Sequence, residues 1–287
     1  MLLVVSGTAV RVTGSGLGCP TWPRCTGASV TNTAALGSHG YIEFGNRLLA
    51  VVMEAVGIAL VVAVRRYAPR HTRLALVQAA VVPLQAVIGG LLVLSGLNPY
   101  VLILHFLTSF PLVLAATALL SRLRRDGIPP GSSEPQTERA ASLHVLSWGV
   151  VAATSVVLVL GTLVTGTGPH AGDPKVERLP FDPRDVTQLH ADGVWLLSGL
   201  VIGTVVVAWR SSYRPWSLAL LALLAAQAGV GYWQYYTGVP AGLVALHVAL
   251  ATIVFTVGSW LALSTRARPA RSAAPILEHV AGTATVP

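Results

Sequence analysis

Long apolar runs separated by short polar connectors set the layout of this chain. Runs at 41–64, 74–95, 100–121, 142–164, 190–209, 216–236 and 242–264 each approach the ~20 apolar residues that a helix needs to cross a bilayer. A further apolar segment at 1–10 is too short for a full span and reads as a first helix that is truncated here or starts upstream. The pattern predicts an all-α integral membrane protein with eight transmembrane helices. Polar stretches at 11–40 and 165–189 form two long loops, and Gly/Pro breaks near Pro99 and Pro240 form two tight turns. The Pro-, Ser- and charge-rich stretch around 123–141 is the natural boundary. It divides the chain into an N-terminal half (1–122), a linker (123–141), a C-terminal half (142–265) and a basic, then Ala/Pro-rich tail (266–287) whose composition predicts disorder.

The two halves repeat one plan. Residues 85–105 and 227–247 both open on Gln-Ala with a Gly following, pass through an apolar run, break at Pro, and end on a histidine, His105 or His247. The segment GTAVRVTGSG at 7–16 resembles GTLVTGTG at 161–168, each opening a long loop. Each half crosses the membrane an even number of times, so the halves are expected as parallel four-helix-bundle repeats about an axis along the membrane normal.

Composition supports the membrane reading and charge orients it. Only 10% of residues are charged against 53% hydrophobic, with mean hydropathy +0.68, where soluble domains carry about 25% charged residues. The net charge of +8 does not mark a nucleic-acid binder, because the Lys and Arg residues lie in short clusters between apolar runs. The connectors 65–73, 122–141 and 210–215 and the tail hold 13 of the 19. By the positive-inside rule these lie in the cytoplasm, with both termini, and the two long loops face outward. Cys19 and Cys25, the only cysteines, are expected half-exposed in the first outer loop, where an oxidising compartment suits a disulfide. They read either as a structural bond or as a redox-active pair.

The candidate chemistry follows from depth. His190 and His247 start the sixth and eighth spans and come at similar depth, and two imidazoles facing each other in a four-helix core can hold a haem iron from both sides. In the first half the matching positions are Asn46 and His105. A neutral amide is a poor iron ligand, so that site reads as open, with His39 and Glu43 as nearby alternatives for a sixth ligand. Glu43 lies one turn before Asn46 and serves either as a proton acceptor or as the i, i+4 partner of Arg47. Glu54, three turns deeper, is either a proton-path residue or a neutral hydrogen-bonded one. His71, His144 and His279 are weaker candidates, and His170 sits in a Gly-rich loop that could cover the second haem or bind its propionates through the loop backbone. No Cys-x-x-Cys-His occurs, which argues against covalent haem attachment.

These residues resemble a known family. The stretch VRVTGSGLGCPTWPRC at 10–25, then Glu43-x-x-Asn46-Arg47, then GTGPHAGD at 166–173, are similar to the haem A synthases over nearly the whole chain. The resemblance implies oxidation of the C8 methyl of haem O to a formyl group, through successive hydroxylations and loss of water, giving haem A for cytochrome oxidase. It implies haem b held by His190 and His247, substrate haem O at His105 and the Asn46 position, Glu43 as the catalytic carboxylate, and Cys19 and Cys25 as the family's loop cysteines. It further implies a multi-pass cell-membrane protein that works with haem O synthase and cytochrome oxidase assembly factors, with a homo-oligomer left open. Many family members have His where this chain has Asn46. The competing expectation is a non-enzymatic di-haem b cytochrome that passes electrons. A transporter is disfavoured, because no mid-helix Gly/Pro break is shared by the two halves.

Overall fold

A computed structural model describes residues 1–127, 138–170, 172–173 and 175–265. The tail expected to be disordered, with His279, and part of the linker lie outside the described residues. Among those described the chain is all-helical: α1 (Leu2–Val12), α2 (Gly37–Tyr67), α3 (Thr72–Leu94), α4 (Pro99–Leu107), α5 (Ser109–Asp126), α6 (Glu138–Thr167), α7 (Pro183–Ala208), α8 (Arg214–Tyr236) and α9 (Ala241–Ser264), with two short 3-10 turns beside α2. Counting α4 and α5 as one unit, seven helices are long and apolar enough to cross a membrane, and α1 is shorter. Large apolar side chains such as Val51, Val56, Leu84, Trp195 and Val206 stand exposed along these helices, a surface that suits lipid and not water.

Several boundaries differ from those the apolar pattern predicts. Helix α7 starts at Pro183, not at His190, because Asp182 caps it by accepting the Arg184 N–H at 2.7 Å while Pro183 fills the first position. His190 therefore lies two turns inside the helix. Asn98 and Pro99 start α4 in the same way. The fourth apolar run is two helices rather than one, interrupted at Thr108. Pro111 has no N–H to return to the Leu107 carbonyl, and the Thr108 and Ser109 hydroxyls are taken up by the Gln85 side-chain amide at 2.9 and 3.3 Å. Its counterpart α9 is continuous.

In the second half α6, α7, α8 and α9 pack as a closed ring, each on its two neighbours, around Val150, Leu197, Val201, Leu220, Leu224, Val254 and Leu261. In the first half α2 packs on α1 and α3, and α3 on α4 and α5, while α1 and α5 also lie on α9. A separate core joins the halves, with Phe110 of α5 edge-on to Phe255 of α9 at 5.2 Å between centroids. One end of the bundle gathers the connectors that carry Arg70, His71 and Tyr213. There Asp126 accepts from Arg70 and His71, His144 Nδ1 meets the Thr265 hydroxyl at 3.2 Å, and the Tyr213 hydroxyl donates to the Ser264 carbonyl. The other end gathers both long loops and both tight turns.

Candidate functional site

His190 of α7 and His247 of α9 face each other inside the second-half ring, their ring centres 6.5 Å apart. An imidazole nitrogen binds a metal at ~2 Å, and the nitrogen lies about 1 Å from its own ring centre, so two imidazoles on opposite sides of one iron place their centres roughly 6 Å apart. The gap between these rings matches that arrangement. The His190 Nδ1 lies 3.1 Å from the Val157 carbonyl. A carbonyl can only accept, so Nδ1 carries the proton and Nε2 keeps its lone pair. The His247 Nδ1 is buried without a hydrogen-bond partner. Among the described residues no group of three or more His, Cys, Asp or Glu comes together. Two facing imidazoles could hold a porphyrin iron, which needs few ligands from the protein.

Each histidine rests on a glycine of the neighbouring helix. A Cβ at Gly161 would stand 3.3 Å from His190 Cε1, one at Gly231 3.1 Å from His247 Cε1, and one at Gly89 3.2 Å from His105 Cε1. Gly161 lies one helical turn after Val157, so the missing side chain is what lets His190 reach that carbonyl. Gly89 and Gly231 belong to the repeated Gln-Ala stretches, and the repeat already points to them. Their role comes from the helix packing, which spacing alone does not reveal.

The fourth position breaks the pattern. Asn46 of α2 accepts a hydrogen bond from the Ser6 hydroxyl of α1 at 2.7 Å, and nothing lies within 4 Å of a Cβ built at Gly7. His105 has no imidazole partner in this half, and its Nδ1 is buried without a hydrogen bond. The two residues expected as substitute ligands are already engaged. The His39 ring meets the Ser15 hydroxyl at 2.9 Å, and both oxygens of Glu43 are bonded.

Glu43 is 4% exposed. Its Oε2 accepts from the Cys19 N–H at 2.7 Å and its Oε1 from Arg47 Nη2 at 2.6 Å. Arg47 also donates to the carbonyls of Cys19, Thr21 and Arg24. The pairing with Arg47 is thus present, and the pair clasps the first long loop. Cys19 and Cys25 form a disulfide and both are fully buried, not half-exposed as the loop position suggests. The Cys19 sulfur lies 4.0 Å from the Gly40 carbonyl of α2. Trp22 of this loop lies against Gly90 on α3, beside the glycine under His105. The Glu54 Oε2 is buried without a partner, which leaves both expected roles open.

The loops that meet at this end are joined. Gly16 N–H donates to the Gly172 carbonyl at 3.2 Å, linking the two long loops. Leu97 packs on both glycines from the turn between α3 and α4. The His170 Nε2 lies 2.7 Å from the Val239 carbonyl, tying the second long loop to the entrance of α9. Leu97 and Val239 both adopt positive φ, at 63° and 59°. Such backbone is rare outside glycine, most of all for a β-branched residue.

Fold and site together define a bundle of membrane-length helices with two imidazoles facing each other inside its second half. The family model described as cytochrome oxidase assembly protein, COX15-CtaA, matches residues 1–172, and the chain belongs to that family. It is similar to the heme A synthase of Geobacillus thermodenitrificans, 27% identical over 98% of this chain and 93% of the relative. It is also similar to the heme A synthases of Symbiobacterium thermophilum, 29% identical over 91% and 90%, and of Listeria monocytogenes serovar 1/2a, 26% identical over 91% and 90%.

Proposed function

We propose that this chain is a haem A synthase, an enzyme that oxidises the C8 methyl of substrate haem O to a formyl group. The observation that carries the reading is the unequal pair of histidine sites. One half has facing imidazoles 6.5 Å apart, and the other has His105 with Asn46 tied to Ser6. A fully ligated iron suits electron transfer and an open one suits chemistry at the substrate. In this reading His190 and His247 hold haem b, and the first half takes haem O at His105. Two matched sites, as a simple di-haem cytochrome would use, are not what the residues supply.

The resident haem supplies one-electron redox chemistry when bound. The chain's residues do the rest. The Val157 carbonyl fixes the tautomer of His190, and Gly161 and Gly231 set the depth of the two rings. We assign Glu43 as the catalytic carboxylate. Its Oε1 pairs with Arg47 and its Oε2 accepts from the Cys19 N–H, at the edge of a loop whose Trp22 reaches the helix beneath His105. The short α1 counts as the first of eight spans in two parallel repeats, with the disulfide loop outside and the arginine-rich connectors in the cytoplasm.

The test is extraction of the haems from purified protein after expression in a host that makes haem O but lacks its own synthase. Haem A together with haem b is the expected result. Haem b alone, in protein that has been supplied with haem O, overturns the enzymatic reading. His247→Ala should abolish the low-spin bis-histidine spectrum, and an unchanged spectrum refutes the haem b assignment.

A further inference from the structure

Two half-buried arginines at the loop end carry hydrogen-bond donors that are shielded from solvent and meet no acceptor. Arg11, at the end of α1, has Nε and Nη2 shielded from solvent without a partner, and Arg178, in the second long loop, has Nη1 in the same condition. Both lie against one stretch of backbone. The Arg11 side chain packs beside Gly172, and Arg178 Nη2 donates to the Pro169 carbonyl at 3.3 Å. The carboxylate of the same stretch, Asp173, is turned to the Lys175 N–H at 2.8 Å and forms no ion pair with either arginine. Guanidinium donors shielded from water and left idle are costly. Two such arginines beside one loop imply an acidic ligand that supplies the missing acceptors.

That loop is placed over the bis-histidine pair. His170 ties it to the Val239 carbonyl at the mouth of α9, and α1 packs directly on α9. His247 lies seven residues below Pro240, ~10 Å along the helix axis. This is comparable with the reach of a porphyrin's propionates from its metal. We propose that Arg11 and Arg178 form a two-armed anion clamp for the propionate carboxylates of the tetrapyrrole held by His190 and His247. The inference rests on the bis-histidine reading above. It makes haem retention depend on both halves, because Arg11 comes from the first half and Arg178 from the second. Arginine suits the task, since its planar fork matches a carboxylate in two bonds and keeps its charge when buried.

The experiment measures transfer of haem from the purified full-length protein to apomyoglobin, for the wild type, Arg11→Gln, Arg178→Gln and the double variant. Each single change should speed haem loss about tenfold, the effect of one charge-assisted bond, while the low-spin spectrum of the loaded protein stays. Reloading with iron protoporphyrin IX or its dimethyl ester separates the carboxylates from the ring. The wild type should prefer the free acid about tenfold or more, and the double variant should not discriminate. Arg178 lies in a loop, so its variant remains informative if Arg11→Gln fails to fold. Wild-type loss rates in the variants, or equal binding of acid and ester by the wild type, overturn the clamp and leave the bis-histidine site standing. If phosphatidylglycerol nanodiscs stabilise the protein over phosphatidylcholine ones in an Arg11-dependent way with haem loss unchanged, the donors serve a lipid phosphate and the proposal falls. A His247→Ala protein that keeps its low-spin spectrum would instead sink the underlying reading.

Discussion

Replacing Gly231 with Ala tests the histidine site without touching a ligand. The new Cβ would stand 3.1 Å from His247 Cε1 and 3.6 Å from Nδ1. Relaxing the closer contact to ordinary van der Waals distance moves the imidazole by roughly 0.3–0.5 Å, beyond the ~0.2 Å tolerance of a metal–ligand bond. Loss of a positioning contact of this kind typically costs 10–100-fold in affinity, about 1.4–2.7 kcal/mol. The same change favours the helix itself by about 0.5–1 kcal/mol, so the haem-free fold should be slightly more stable. Gly229→Ala is the control on the same helix, because nothing lies within 4 Å of its Cβ position. Haem affinity and the low-spin absorbance of both proteins, purified in detergent, make the comparison. Gly231→Ala should lose haem readily and Gly229→Ala should not. Equal retention by both would falsify the claim that the glycine sets the position of the ring.

Three other changes address separate parts of the molecule. Glu43→Gln keeps the side chain's shape but removes its charge, so haem b should remain bound while haem A formation falls at least a hundredfold; product analysis by chromatography checks this, and normal turnover refutes the role given to Glu43. Val239→Gly relieves a positive-φ valine, which costs ~1–2 kcal/mol, against the entropy glycine brings to the unfolded chain, about 0.5–1 kcal/mol. A net gain of about 0–1.5 kcal/mol is expected, seen as a modest rise in the thermal midpoint, and a fall contradicts the strain argument. Asn46→His places an imidazole opposite the open space at Gly7, as His190 stands opposite Gly161. A second low-spin haem should appear in the spectrum with loss of turnover; an unaltered spectrum would show that the first half does not present His105 as its counterpart does.

Much of this arrangement could be read along the chain, for reasons that differ by residue. The spans were visible because a bilayer demands long apolar runs. His190 and His247 stood out because polar groups are rare in such runs, and the matched spacing of His105 and His247 marked a repeat. The pairing of Glu43 with Arg47 followed from helical periodicity. What sequence patterning missed depends on contacts between distant segments. The Cys19 N–H reaching Glu43, the Ser6 hydroxyl on Asn46 and the His170 bond to Val239 have no periodic signature. The break at Thr108 had a local sign in Pro111 but was masked by the apolar run around it. The Asp182-Pro183 cap was equally readable, and it places His190 two turns deeper than the apolar boundary suggested.

The two halves share a plan and differ where function would require it. In the second half α8 and α9 run unbroken past Gly231 and His247. In the first half α3 carries Pro83 and the following helix is broken at Thr108, three residues after His105. The break at Thr108 and the Gln85 side chain that bonds across it lie beside His105, and Asn46, at the position matching His190, is taken up by Ser6. A helix that keeps every backbone bond holds a ligand rigidly, while one that has given some up can adjust. A resident cofactor needs the first property, and a substrate that must enter, react and leave needs the second. A single gene duplication could thus yield one fixed site and one exchangeable site by losing a ligand and breaking one helix on one side only.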